Sequence, residues 1–503
     1  MRFVKTTGGW LLLVFLLTAP AWAPLTTPDW FEVHSGFLPF YHLNDLVAHG
    51  AWGWLPTLVT PPDFWRGEGP LPYVLARLWL PLGALTAIKL TLALALAAGP
   101  LSLFLAARRL WGLPPALIAA TLYAYLPFTL TTVYQRGALA ETLLLALLPC
   151  LAWALLRLGA RPSAGRGLFV VLLAAALPWV QAGLALLSLL ALTPLPLASL
   201  PQARARRVAW LGLAGGGALG LLSRFAWQGA SAGAPVVFAE HAVYLFQLFG
   251  GGAGGGLSQP GWQDDFSLTL GLVTLGLALL AWWPANRASA AIRGRMALTA
   301  VAFCGLAAAV LPLPLGALLT YPWQILGLVG LALCGLAAVG LARHPLLHGW
   351  PLLSACLALI VLSAYPSLAP PRVQAPPRAA PLAIYRDASQ APGRGVILAD
   401  MTMTGNLQPA QTISVTLTWQ TLQPPDFDYN LYLHVLDANE QRWGQADTQP
   451  LVERPMTQWV VGQVYTGTVS LTISPAAPPP LHLAWGLYNW QTGVRLPTTA
   501  PTP

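Results

Sequence analysis

The string YQRGALAE, Tyr134 to Glu141, sets an arginine and a glutamate close together inside an otherwise apolar stretch. A charged side chain at the centre of a membrane helix costs roughly 2.5 to 3.5 kcal/mol on insertion scales, so it usually faces a partner, a cavity or a ligand. Only 9% of the 503 residues are charged. Arg136 and Glu141 are therefore candidate site residues, with anchoring of the arginine at an interface as the plainer alternative. Arginine suits a bidentate hold on phosphate, and glutamate suits proton transfer or the orientation of that arginine. Lys89 is a second cation that can turn inward toward the same cavity or snorkel to the headgroups.

The segment 25–82 holds the other dense group of chemistry-bearing residues. In HLNDLVAHGAWGWL, His42, Asp45 and His49 are spaced by three and four, which is one face of a short helix. That face can bind a divalent metal, although it lacks the specificity of an HExxH motif. An amphipathic helix on a membrane surface, anchored by Trp52 and Trp54, fits equally well. Asp45 is also a candidate active-site carboxylate. A second long segment, 227–266, begins an amphipathic stretch at Glu240 and His241 and contains a glycine run from Gly250 to Gly256. A flexible loop that closes over a ligand and a plain connector both fit. No strand precedes these glycines, so they are not a phosphate-binding fingerprint.

The elements that must position these residues are membrane helices. Hydrophobic residues make up 56% of the chain and 22 residues are tryptophan, which does not suit a soluble domain. Spans of about 20 apolar residues fall near 8–24, 83–106, 114–132, 138–156, 167–181, 183–200, 208–226, 267–284, 296–312, 319–341 and 350–367. About eleven helices are expected, with Pro178 to Gly183 marking either a tight hairpin or one long broken helix. Arg2, Lys5, Arg108, Arg109, Arg157, Arg161, Arg166, Arg204, Arg206, Arg207, Arg287, Arg293, Arg295 and Arg343 all fall in one alternate set of connections. Basic residues in short loops stay cytoplasmic, which places the amino terminus inside and residues 25–82, 227–266 and 368–503 outside. The net charge of +9 follows from this asymmetry and from attraction to anionic lipid, and nucleic acid need not be invoked. The first span, followed by Ala21-Trp22-Ala23, reads as an uncleaved helix or as a signal peptide. All four cysteines lie in expected spans, so neither a disulfide framework nor a cysteine metal site is implied.

The expected organisation is a membrane domain over 1–367, a proline-rich linker over 368–390 and an extracytoplasmic domain over 391–503. In the last, hydrophobicity switches to period two in TISVTLTW, YNLYLHVL, VYTGTVSLTI and LHLAWGLY, which reads as a small all-β sandwich. Trp419, Trp443, Trp459 and Trp490 can stack on sugar rings or fill the core.

The stretch from Asn44 to Leu158, with IKL, LFLAARRLWGLPPALIAATLYAYLPF and VYQRGALAETLLLALLP, resembles bacterial membrane proteins of the GT-C glycosyltransferase type. More narrowly it resembles the membrane family labelled 6-pyruvoyl-tetrahydropterin-synthase-related, a label that does not itself imply pterin chemistry. The EH pair, QLF, DDFSLTLG and YPWQIL resemble that group too, and DYNLYLHVLD, ADTQP and GLYNWQTGVRLP resemble its extracytoplasmic domain. The resemblance implies a multi-pass protein of a bacterial plasma membrane that moves a sugar from a polyprenyl-phosphate donor, on the outer face, to a glycan, lipid or protein acceptor. Asp45 then matches the acidic residue that serves as base, Arg136 and Lys89 hold the donor phosphate, and Glu141 orients Arg136 or the acceptor. Glu240, His241 and Gln324 are secondary candidates. The related proteins often carry arginine where this chain has Gln324. A possible divalent metal remains open, with His42, Asp45 and His49 as its candidates. A lipid-linked glycan transporter and a non-catalytic scaffold presenting the β domain are the other function classes.

Overall fold

The computed structural model describes residues 6–28, 30–31, 39, 43, 69–200, 202–228, 241–250, 261–262, 264, 266–284, 292–311, 313, 315, 318–319, 321–370, 372–373, 383–386, 395–423, 425, 427–459 and 464–496. His42, Asp45, His49 and Glu240 lie outside them. The chain divides into two compact units, Met1–Glu32 with Leu46–Val373, and Val33–Asp45 with Gln374–Pro503.

The first unit is helical apart from a short strand pair, β1 (Trp30–Phe31) antiparallel to β2 (Arg372–Val373). Its main elements are α1 (Thr7–Trp22), α2 (Leu71–Arg77), α3 (Ala84–Trp111), α4 (Leu113–Ala124), α5 (Pro127–Tyr134), α6 (Leu139–Ala160) and α7 (Ala164–Leu192). They continue with α8 (Pro194–Ser199), α9 (Ala203–Gln228), α10 (Leu245–Phe249), α11 (Leu272–Leu279), α12 (Ile292–Val310), α13 (Leu326–Arg343) and α14 (Trp350–Ser363). Among the described residues, eight helices are long and apolar enough to cross a membrane. The apolar run at 267–284 is helical only over Leu272–Leu279. The residues before it leave the helix because Gln247 Nε2 donates to the carbonyls of Asp264 and Phe266, and Leu270 N donates to Leu248 O.

Close contacts fix which helix ends meet. Ser102 Oγ lies 2.8 Å from Cys150 Sγ, and Gly99 packs on Ala146, so α3 and α6 run parallel. Tyr123 Oη donates to Leu145 O at 2.7 Å, which sets α4 against them. Helix α13 begins beside Leu145 and Leu126, where Gly327 and Gly330 admit those leucines. Helix α12 runs antiparallel to it, with Val329 on Gly305 and Leu298 near Gly335.

Helix α7 doubles back. Gln181 has φ −161° and ψ 104°, outside the helical range. Before it, Val170 packs on Gly212 and Trp179 Nε1 donates to Ser223 Oγ at 2.9 Å, a parallel course along α9. After it, Leu189 packs on Gly217 and Trp210 Nε1 donates to Thr193 O at 2.9 Å, an antiparallel course. The two legs thus return the chain to the end it left, and Leu200 meets Gly159. The break is used: Gly69 N donates to Val180 O at 2.7 Å. An added Cβ would come 1.6 Å from Leu318 O at Gly183 and 1.8 Å from Trp179 O at Gly69. Backbone cannot yield like a side-chain tip, so Gly183→Ala is expected to destabilise the protein by roughly 1–3 kcal/mol. A lowered thermal midpoint in detergent checks this, and an unchanged midpoint would show that the hairpin is looser than drawn.

These contacts gather the described basic residues of the loop set, Arg108, Arg109, Arg157, Arg161, Arg166, Arg204, Arg206, Arg207, Arg293, Arg295 and Arg343, at one end of the first unit. Arg2, Lys5 and Arg287 lie outside the described residues. The ends of α1 and α5, the starts of α3, α6 and α13, and the turn of α7 form the opposite end.

The second unit contains two antiparallel sheets. One has the order β3-β4-β5-β8, from Ala383–Arg386, Gly395–Thr404, Thr412–Gln423 and Val464–Thr472. The other has the order β7-β6-β9, from Arg442–Thr448, Asn430–Leu436 and His482–Tyr488. Alternate residues of β5 and β6, including Ile413, Val415, Leu417, Leu431, Leu433 and Val435, enter one core with Trp419 and Trp459. Those two tryptophans are wholly buried, whereas Trp490 is half exposed.

The β6–β7 turn is organised by Asp437. Its Oδ1 accepts from the backbone of Asn439 and Gln441, at 2.8 and 3.0 Å, and its Oδ2 accepts from Trp443 Nε1 at 2.9 Å. The Trp443 bond, followed by the backbone bonds, holds the carboxyl below its ordinary value. A group depressed on folding stabilises fully above its unfolded pKa of about 3.9 and loses that contribution as pH falls through the lower folded value. Asp437→Asn should therefore lower the thermal midpoint of the second unit at pH 7 and differ less from the parent near pH 3. A gap that does not shrink on acidification would refute a charge-dependent role.

Candidate functional site

The loop between α5 and α6 builds the centre of the site. Helix α5 stops at Tyr134, where the amides of Gln135 and Arg136 both reach Thr131 O and Ala138 N reaches Thr132 O. Gly137 takes φ +61°, a left-handed conformation that a Cβ disfavours, and the chain turns into α6. Arg136 is thereby left just before a helix whose first turn carries Glu141. An N-terminal first turn favours a carboxylate.

The two side chains meet in a buried pair. Arg136 Nη1 donates to Glu141 Oε2 and Nη2 donates to Oε1, each at 2.5 Å. Gln324, in the Pro322–Ile325 turn before α13, donates from Nε2 to Glu141 Oε1 at 2.5 Å and accepts from Tyr321 N at 3.1 Å. These two bonds fix the orientation of the amide. Residue exposures are 5% for Arg136, 4% for Glu141 and 5% for Gln324.

An aromatic stack supports the guanidinium. Its Cζ lies 4.1 Å from the Trp323 ring centroid, within cation–π range. Tyr321 stacks on Trp323 with centroids 4.7 Å apart and planes 10° apart, and the His241 ring meets Tyr321 edge-on at 5.1 Å. The YPWQ string thus supplies both the platform and the amide. Sequence reading singled out Gln324 but missed Trp323, whose signal was an aromatic pair at a proline-started helix.

The donor inventory of Arg136 is incomplete. A guanidinium carries five N–H donors. Two go to Glu141, and a third from Nη1 points at Thr132 Oγ1 at 3.4 Å. Nε is buried and without a hydrogen-bond partner. Nε and the second Nη2 hydrogen lie on one edge of the planar group, the second bidentate face of an arginine. Among the described residues no acceptor meets Nε on that edge, while Glu141 holds the other.

Lys89 is buried as well, at 5% exposure, so it does not snorkel. Its Nζ donates to Thr27 O at 2.5 Å and lies 5.7 Å from the Phe31 ring. Phe31 in turn meets Tyr134 edge-on at 5.0 Å, two residues before Arg136. Lys89 therefore stands at the same end as Arg136, on the α1 side, beyond an aromatic partition. Tyr134 Oη closes that partition by donating to Ala21 O at 2.6 Å.

The structure thus brings together Arg136, Glu141, Gln324 and, through the stack, His241. Among the described residues no group of three His, Cys, Asp or Glu side chains is placed to hold a metal ion. The candidates His42, Asp45 and His49 fall outside those residues. Chemically, the guanidinium is a fixed fork in a buried, aromatic setting, oriented by a carboxylate that accepts three hydrogen bonds, and such a fork can bind an anion through a donor that the carboxylate does not use. Comparison with known proteins finds no family model and no curated protein that matches this chain.

Proposed function

We propose that the protein is a polytopic membrane glycosyltransferase of GT-C type that moves a sugar from a polyprenyl-phosphate donor to a glycan, lipid or protein acceptor. The observation that carries this reading is Arg136 Nε, buried beside Trp323 and without an acceptor among the described residues, while Glu141 holds both Nη groups. A buried donor without an acceptor costs about 1–3 kcal/mol, and an incoming phosphate oxygen removes that cost. As the glycosidic bond to the phosphate breaks, charge grows on the leaving oxygens, and a fixed guanidinium stabilises it without reorganising. Glu141 and Gln324 act as positioning residues, since Glu141 holds Arg136 and Gln324 holds Glu141. Lys89 is a further cation at the same end.

On this reading Asp45 takes the proton of the acceptor hydroxyl, a role that rests on its resemblance to the acidic residue of the GT-C-like family. The basic end faces the cytoplasm by the positive-inside rule. The end that carries Arg136 then faces the extracytoplasmic side of a bacterial plasma membrane. Glutamine at position 324 fits this account. With the Glu141 carboxylate already matched by Arg136, Gln324 Nε2 supplies a further, neutral donor to Oε1.

Purified protein in liposomes, given a panel of radiolabelled polyprenyl-phosphate sugars with and without divalent metal, tests the reading. Sugar transfer or release that disappears in Asp45→Asn is the expected result. Absence of turnover across the panel would argue for a transporter or scaffold.

A further inference from the structure

The end of the helical unit opposite the Arg136 site has an unbalanced charge. Residues 1–6, 107–113, 157–166, 193–207, 280–296 and 341–350 contain no Asp or Glu. The basic side chains of these segments therefore have no carboxylate within the segments themselves.

Two of these arginines and a histidine converge. Arg295 Nη1 donates to Ala281 O at 3.2 Å, Arg343 Nη1 donates to the same carbonyl, and His344 Nε2 lies 3.3 Å from Leu280 O. Leu280 and Ala281 follow the last turn of α11, where carbonyls without intrahelical partners give a partial negative charge. One cation suffices to cap such a short helix. Here two arginines share one oxygen, and Arg295 Nε is buried with no hydrogen-bond partner among the described residues. Arg295 Cζ also sits 4.4 Å from the Trp282 ring centroid. Trp282 and Trp283 are 46% and 67% exposed, as indoles at a headgroup layer would be.

We propose that Arg295, Arg343 and His344, beside Trp282, form a site for the phosphate of an anionic phospholipid. The phosphate supplies the missing acceptor for Arg295 Nε and the missing negative charge. The exposed indoles lie along the glycerol and upper acyl region of the same lipid. A lipid fits better than a soluble phosphate because the site's rim is apolar and exposed. This site is separate from the proposed donor site at the other end and does not depend on it.

The test is native mass spectrometry of the full chain titrated with phosphatidylglycerol, phosphatidylcholine or inorganic phosphate. The parent should retain phosphatidylglycerol in clear preference to phosphatidylcholine, with no retention of inorganic phosphate. Arg295→Gln combined with Arg343→Gln should weaken phosphatidylglycerol retention roughly tenfold or more. Arg109→Gln, at the same end but outside the cluster, should leave it unchanged. Arg295→Gln alone keeps Arg343 as the cap of α11 and serves if the double variant does not fold. It should still weaken retention severalfold. Equal retention by parent and folded Arg295→Gln would overturn the proposal, as would equal retention of the two lipids. Preferential binding of inorganic phosphate would overturn the lipid assignment.

Discussion

Glu141→Ala is expected to destabilise the helical unit by about 3–5 kcal/mol, the largest stability effect of any single change at the site. Removing the carboxylate leaves the Arg136 guanidinium buried against Trp323 with neither Nη group neutralised, and Gln324 Nε2 loses its acceptor as well. The double variant Arg136→Met, Glu141→Leu removes both charges at similar volume and should recover most of the loss. Thermal unfolding in detergent, comparing the single and double variants, measures the coupling directly. A double variant no more stable than Glu141→Ala would mean that something other than the uncompensated charge is responsible.

Arg136→Lys is expected to cost at least tenfold in affinity for a polyprenyl-phosphate ligand, while changing stability less than Glu141→Ala does. Lysine keeps the charge and can still bond one oxygen of Glu141. It loses the planar fork that holds Glu141 on one edge while offering the other to a ligand. Two hydrogen bonds to a charged group, at about 1.5–3 kcal/mol each, are at stake. Binding of a fluorescent polyprenyl phosphate to the parent and the variant checks this. Unchanged affinity would relocate the phosphate, and Lys89 would become the leading candidate.

Much of this architecture was legible in the chain. The apolar runs marked the helices, because backbone in lipid must satisfy its own hydrogen bonds and apolar length is therefore diagnostic. The loop arginines marked one end, and the contacts of α3, α6, α7, α9 and α13 bring the described ones together there. The doubling back near Pro178 to Gly183 was one of two readings, and the opposite courses of the two legs of α7 along α9 decide between them. The pairing of Arg136 with Glu141 was foreseeable from charge scarcity. The stack on Trp323 was not, since it joins residues far apart in sequence. The strands β5, β6, β8 and β9 followed from period-two alternation. Strand β7, RWGQADT, escaped notice because it is polar along most of its length, and β4 because a register shift between Leu398 and Asp400 breaks its pattern. The run at 267–284 was read as a full span because hydropathy does not register the Gln247 side chain that holds its first residues out of the helix.

The most direct measurement is a structure of the protein in lipid nanodiscs saturated with a short-chain polyprenyl phosphate. The expected result is a phosphate oxygen within about 3 Å of Arg136 Nε, with Glu141 still on the Nη1/Nη2 edge and Trp323 still beneath the guanidinium. A side chain of the protein occupying Nε, with the phosphate bound elsewhere, would contradict the proposed donor site.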